Sequence, residues 1–146
     1  MFIELTEFLR CPKDHEEAHA VCLPLEMAGR HVIRGVLGCP QCHAEYPIRE
    51  GVADFTDERT RGHADASVRP SACPPVRTPA VQLTADSLAT ILDLRGPGGF
   101  LLLAGDAARL GADLVPLVPY AHIVCVNAPE GVARTPGCSF LRTPGR

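Results

Sequence analysis

The residues best suited to chemistry in this sequence are cysteines and a histidine in its first third. Cys39 and Cys42 enclose Pro40-Gln41 in a C-x2-C knuckle. This spacing lets two thiolates reach one Zn²⁺ ion while the turn donates backbone N–H groups to the sulfurs. A tetrahedral zinc site needs two further ligands, so the knuckle alone predicts half of a metal site.

The segment Cys11-Pro12-Lys13-Asp14-His15 supplies a second half, because it begins with the same Cys-Pro pair. Asp14 stands where a second cysteine is expected, and His15 follows it. Imidazole suits zinc better than a carboxylate does, so Asp14 is assigned at most an orienting role. The predicted ligands are Cys11, His15, Cys39 and Cys42, with Cys22 and His43 as reserve candidates.

A simpler interpretation treats Cys11 and Cys22 as small buried hydrophobic residues and His15 as a solvated loop residue. If zinc is bound, four protein ligands leave no open position for water, and the predicted role of the metal is structural. A module of this size has too small a core to be stable without such a link.

Composition narrows the class of protein. The chain has 146 residues, of which 46% are hydrophobic, and a net charge of -3 from 14 basic and 17 acidic residues. A chain with a net negative charge is not attracted to nucleic acid as a whole. We therefore expect nucleic acid to be an indirect partner only. No run approaches the ~20 apolar residues of a membrane span. The acidic N-terminus lacks the basic flank of an export signal, which predicts a cytoplasmic protein with no membrane partner.

Changes in residue composition along the sequence predict three segments. Residues 1–57 are rich in cysteine and histidine, and here we expect a short helix over 5–9 and strands over 32–37 and 45–49. Residues 58–79 form a Pro-rich linker. Residues 80–146 read as helix (85–94, capped by Thr84), strand (100–104), helix (107–117) and strand (122–127), which is a βαβ pattern with a helix in front.

The N-terminal motifs resemble a known family. The stretch Leu5-Thr6-Glu7-Phe8-Leu9-Arg10-Cys11-Pro12 is similar to the opening motif of the small zinc-ribbon proteins related to methyltransferase-activating (Trm-type) subunits. Residues 36–52, which contain Tyr46-Pro47-Ile48-Arg49-Glu50-Gly51, resemble the closing motif of that family. The resemblance covers residues 1–56 and implies a zinc ribbon with a small antiparallel sheet. It also implies a partner, because family members bind and activate class I methyltransferases.

The second half is similar in layout to the start of an S-adenosylmethionine-binding fold. Gly105 and Asp106 follow its first strand, and Asn127 follows its second, where an acid usually binds the ribose hydroxyls. These three residues are the candidate cofactor contacts. Only Gly105 remains of the usual glycine-rich loop, which argues against tight binding of S-adenosylmethionine. The predicted fold class is therefore an α+β zinc ribbon with a small antiparallel sheet, followed by a partial α/β, Rossmann-like half.

Three functions compete at this point. The first is a non-catalytic interaction module that docks on and activates a methyltransferase-like protein or domain, or associates with itself. The second is the N-terminal part of an S-adenosylmethionine-dependent methyltransferase with a fused ribbon. The third is direct nucleic-acid binding, which the acidic balance disfavours. The sequence favours the first, because no catalytic motif follows the second predicted strand.

Overall fold

A computed structural model describes residues 1–56, 83–92 and 98–144. Seven strands and two α-helices make up most of these ranges, together with two 3-10 helices, Ile3–Glu7 and Gly105–Leu110. The strands are β1 (Val21–Ala28), β2 (His31–Gly38), β3 (Glu45–Arg49), β4 (Val52–Asp54), β5 (Phe100–Ala104), β6 (His122–Val126) and β7 (Cys138–Arg142), and the helices are α1 (Ala85–Leu92) and α2 (Gly111–Leu114). The predicted linker, residues 58–79, lies outside the described residues.

The first four strands form an antiparallel meander, which confirms the small antiparallel sheet expected of the N-terminal segment. Its hairpins use turns that the local sequence allows. Gly29 has a φ of 59° at the first loop position between β1 and β2, as a type II′ turn requires. Glu50 and Gly51 both have positive φ between β3 and β4, as in a type I′ turn. Gly35 keeps β1 close to β2, since a Cβ there would lie 2.7 Å from the carbonyl oxygen of Leu23.

The two halves of the chain share one sheet, in the order β1-β2-β3-β4-β7-β6-β5. β4 pairs in parallel with β7, and Ala53 lies opposite Leu141. Nearby, the Phe2 N–H donates to Ser139 Oγ at 2.8 Å, and the Phe2 ring stacks on His122 with 4.3 Å between ring centroids. The N-terminal segment is therefore joined to the second segment by backbone and side-chain contacts. The predicted segment boundaries themselves stay a prediction.

Successive side chains along a strand point to opposite faces of the sheet, and an apolar core forms on each face. In β6, Val124 contributes to one core and its neighbours Ile123 and Cys125 to the other. The first core is covered by the N-terminal residues Met1 and Leu5. The second lies under α1, the second 3-10 helix and α2. A continuous apolar run predicts a strand buried on both faces, and β5 and β6 both have that pattern in the sequence. The prediction is confirmed for β6, but it was wrong for β5, which lies at the edge of the described sheet and leaves Leu102 65% exposed.

Several sequence predictions are confirmed in position. β3, β5 and β6 lie where strands were expected, and α1 begins at Ala85 after Thr84, whose hydroxyl oxygen accepts a hydrogen bond from the Ser87 N–H at 3.3 Å. The last predicted turn of α1 lies outside the described residues. Cys125 of β6 is fully buried. No helix in the described ranges is long and apolar enough to cross a membrane.

Other predictions were wrong. The first helix is a 3-10 turn over Ile3–Glu7 that leaves Phe8 exposed. The predicted helix over 107–117 is a 3-10 helix followed by the short α2, because Gly111 and Pro116 limit regular α-helix there. Cys138 is buried in β7, a strand that the sequence analysis missed. β6 pairs in parallel with both β5 and β7. The Rossmann-like character of this half of the chain stays a prediction.

Candidate metal centre

The first loop of the candidate centre is held open between two paired backbone segments. The Cys11 N–H donates to the carbonyl oxygen of Ala18 at 3.0 Å, and the Ala20 N–H donates to Leu9 at 2.9 Å. The residues between Cys11 and Ala18 therefore bulge out as a loop of fixed width. His15 lies in the middle of this loop, so its ring can turn back toward Cys11.

The second loop is the tight turn that connects β2 to β3. The His43 N–H donates to the carbonyl oxygen of Cys39 at 3.0 Å, and the Cys39 N–H donates to Ala44 at 2.9 Å. His43 has a φ of 57°, the left-handed conformation that closes the turn. This geometry places the thiols of Cys39 and Cys42 on the same side of the knuckle, facing the first loop.

Four donor atoms of the two loops converge. The Sγ atoms of Cys11, Cys39 and Cys42 and a ring nitrogen of His15 all lie within 4.8 Å of one another. Cys11 Sγ is 3.7 Å from Cys42 Sγ, and Cys39 Sγ is 3.4 Å from His15 Nε2. Tetrahedral zinc with ordinary bond lengths requires about 3.8 Å between two sulfurs and about 3.6 Å between sulfur and nitrogen. The donor set and its spacing fit a zinc ion.

Hydrogen bonds orient two of these donors. His15 Nδ1–H donates to the carbonyl oxygen of Glu16 at 2.6 Å, which leaves Nε2 as the free acceptor pointing into the cluster. That bond, more than any other effect, raises the pKa of His15. The buried Tyr46 hydroxyl lies 3.5 Å from Cys11 Sγ. Burial raises the pKa of Cys11, but hydrogen bonds from Tyr46, the Lys13 backbone and the neighbouring thiols outweigh it and bring the pKa below its usual value.

The structure brings some of the ligand candidates left open by the sequence together and leaves others apart. His15, and not Asp14, contributes the donor nearest Cys39. Cys22 lies on β1 and packs against the first core, so it is not part of the cluster. His43 is exposed and serves the turn through its backbone. The four residues that were predicted as ligands are the four that come together.

The predicted cofactor contacts lie at a different place. Gly105 follows β5 with a φ of 57°, and Asn127 follows β6 with a φ of 50°, so both stand at the carboxyl edge of the parallel strands. Asp106 forms an exposed ion pair with Arg109 at 3.4 Å. Both polar atoms of the Asn127 side chain are engaged by Thr143, at 2.9 and 2.8 Å. Their role in binding a cofactor stays a prediction.

An apolar surface beside the metal centre was missed by the sequence analysis. Val21, Leu23, Leu25 and Met27 alternate along β1, and all four side chains are exposed. Val21 and Leu23 also line an open groove of about 560 Å³ that extends to Cys39 and Pro40. The period-two alternation was present in the sequence and is typical of a strand. We call these four side chains the β1 stripe.

The fold and the centre together define a class: a small antiparallel module whose two loops bring three cysteines and one histidine to a single point. A comparison with protein families agrees with this class. The family described as Trm112p-like protein matches residues 3–51, about a third of the chain, and that segment contains all four clustered residues. The N-terminal resemblance inferred from the sequence is thereby confirmed. No curated protein matches the chain.

Proposed function

We propose that residues 1–56 form a zinc ribbon whose metal is structural. Cys11, His15, Cys39 and Cys42 would hold the ion, and the 3.7 Å and 3.4 Å separations between their donor atoms support this assignment. With four protein ligands, no position remains for a substrate or an activated water. The ion would supply a cross-link between the two loops, and the chain's own residues would provide a binding surface rather than a reaction centre.

We further propose that this ribbon is a non-catalytic module that docks on a methyltransferase-like domain. The parallel pairing of β4 with β7 is the observation that carries the proposal, since the last ribbon strand extends the sheet of the second segment. Docking of this kind uses the backbone of an edge strand, and side chains then add specificity. The family matched at residues 3–51 is known as an activator of methyltransferases, which supports an interaction role.

The second segment fits the part of a docked domain. β7, β6 and β5 lie in the order third, second and first strand of this segment, with helices over one face. Half of a doubly wound sheet has this order. We therefore interpret residues 80–146 as a partial Rossmann-like unit on which the ribbon rests, joined to it by a linker over 58–79.

The β1 stripe is the surface we assign to a further methyltransferase-like partner. It is apolar, exposed and continuous with the groove that reaches the metal centre at Cys39. Exposed apolar patches of this kind are typical of protein interaction sites. Its position on the ribbon, away from the β4–β7 junction, leaves it accessible after the internal docking is complete.

The test is capture of a methyltransferase by the full chain. Tagged protein isolated from the cells that make it should bring a partner with it. The isolated sample should then transfer methyl groups from labelled S-adenosylmethionine to RNA or protein. Leu23→Glu should lose that activity, because it places a charge in the apolar stripe. Leu102→Glu changes an equally exposed leucine on β5 and should retain it. Equal methyl transfer by the wild type and Leu23→Glu, or none by either, would refute the docking surface.

The second candidate function is that of an S-adenosylmethionine-dependent methyltransferase. The parallel β5–β6 pair, with Gly105 and Asn127 at one edge, favours it. Calorimetry of the purified chain with S-adenosylmethionine separates the two. We expect no tight binding, because Asn127 is engaged by Thr143 and a single glycine replaces the usual loop. Binding in the micromolar range would transfer the assignment to a methyltransferase.

A further inference from the structure

The outer edge of β5 is open in the described part of the chain. β5 pairs with β6 in parallel, and the described residues place no strand on its other side. The His122 N–H donates to the carbonyl oxygen of Gly99 at 2.9 Å, so odd-numbered residues of this stretch face β6. Since backbone groups alternate along a strand, Phe100, Leu102 and Ala104 direct their N–H and C=O groups to the open edge.

The two edges of the sheet are built differently. β1, at the opposite edge, contains Pro24 and Glu26 and two register shifts, devices that prevent strands from adding. β5 has the sequence Phe-Leu-Leu-Leu-Ala, with no charge, no proline and a regular register. Its central side chain, Leu102, is 65% exposed. Among the described residues nothing covers this edge, and an open apolar edge of this kind is a site at which another strand pairs.

We propose that this edge pairs with a second copy of the chain, antiparallel and centred on Leu102. Each copy would then donate and accept hydrogen bonds through the three residues that face the edge. Leu102 would lie opposite its own counterpart, and Phe100 opposite Ala104 of the other copy. All of these are hydrogen-bonded positions of an antiparallel ladder, so the register satisfies six backbone groups on each copy.

The side chains of the two copies fit one another in this register. The large Phe100 ring meets the small Ala104, and the five strand residues carry no charge, so no like charges face each other within the ladder. Phe8 extends the apolar strip, because its exposed ring contacts Phe100 at 5.2 Å between centroids. The two-fold axis would bring both strips together on one face of a continuous sheet. This complementarity of the strand with itself is the reason to assign a second copy to the edge.

Sedimentation velocity over a range of concentrations tests the proposal on the full chain. The wild type should be a dimer at micromolar concentration. Leu102→Glu should raise the dimer dissociation constant by at least about 100-fold, since it removes two buried leucines and sets two carboxylates opposite each other. The control is Leu23→Glu on β1, where the leucine is 64% exposed and the change in charge is the same. This control should remain a dimer.

Hydrogen exchange provides a second readout on unmodified protein, which does not depend on whether a variant folds. The amides of Leu102 and Ala104 should exchange more slowly as concentration rises, whereas Leu103 should be protected at every concentration by β6. A wild type that is monomeric at all concentrations, a dimer that survives Leu102→Glu, or a dimer lost in Leu23→Glu would each overturn the proposal. None of these readouts depends on zinc or on methyltransferase capture, so the two proposals fail separately.

Discussion

Removal of zinc is the perturbation that most directly tests the role of the candidate metal centre. Cys11 and Cys42 are 31 positions apart in the sequence, yet their sulfurs lie 3.7 Å from each other. Closing a loop of that length costs about 3 kcal/mol of chain entropy. Without an ion, only weak contacts between thiols and an imidazole join the two loops directly, while the β1–β2–β3 sheet still holds their ends. The expected loss of stability on metal removal is therefore up to about 3 kcal/mol.

The stabilisation that zinc provides also depends on its free concentration. Free zinc at 100 times its dissociation constant stabilises a folded protein by about 2.7 kcal/mol through mass action. For a chain of this length, about 3 kcal/mol corresponds to a fall of roughly 6–12 °C in the midpoint of thermal unfolding. Circular dichroism of the full chain, before and after a strong chelator, measures this shift.

The control for metal removal is Cys22→Ser, which leaves the cluster intact because Cys22 lies on β1. This variant should hold one zinc per chain by elemental analysis and should respond to chelator as the wild type does. Protein that carries no stoichiometric zinc, and whose unfolding midpoint is unchanged by chelator, would contradict the reasoning and remove the basis for a metal-linked ribbon.

Three further predictions concern the ligand set, the junction and the response to acid. His15→Ala should weaken zinc binding and change the visible spectrum of the cobalt-substituted protein, whereas Asp14→Ala should leave both unchanged, because only His15 directs a donor into the cluster. Leu141→Ala should lower the free energy of unfolding by about 2–5 kcal/mol in urea titration, because Leu141 is buried where β7 meets β4, while Leu25→Ala on the exposed β1 stripe should change it by about 0.5 kcal/mol or less. Burial, with the nearby charges of His31 and the N-terminus, lowers the pKa of His122 to about 4. His122 is protonated near pH 6.5 in the unfolded chain and near pH 4 in the folded chain. The free energy of unfolding should therefore fall by about 1–2 kcal/mol as the pH drops from 6.5 to 4, after allowance for the partial exposure of His122. His122→Gln should remove this fall.

Each of these has an outcome that contradicts it. If His15→Ala bound zinc as tightly as the wild type, the fourth ligand would be Asp14 or Cys22 and not His15. A Leu141→Ala variant as stable as Leu25→Ala would mean that the β4–β7 junction contributes little. The acid prediction fails if His122→Gln and the wild type lose stability in parallel between pH 6.5 and 4.

The sequence by itself determined the local features of this protein. The C-x2-C spacing fixes the knuckle, because two residues between cysteines allow one tight turn. Glu50-Gly51 determines the turn after β3, since glycine accepts a positive φ. The apolar runs at β5 and β6 predict strands, of which only β6 is buried on both faces. These follow from interactions between residues close in the chain, and the positions of the knuckle and of these two strands were predicted correctly.

Only the tertiary structure decided how distant pieces meet. Asp14 and His15 are adjacent in sequence, and the loop between Cys11 and Ala18 brings the imidazole of His15 to the three cysteine sulfurs. The residue spacing around Tyr46 leaves open whether it faces the core or the surface, and packing against Phe55 buries it. The pairing of Ala53 with Leu141 unites the two halves in one sheet, and no local pattern encodes it. Strand pairing depends on the shape of surfaces formed by the whole chain, which residue spacing does not specify.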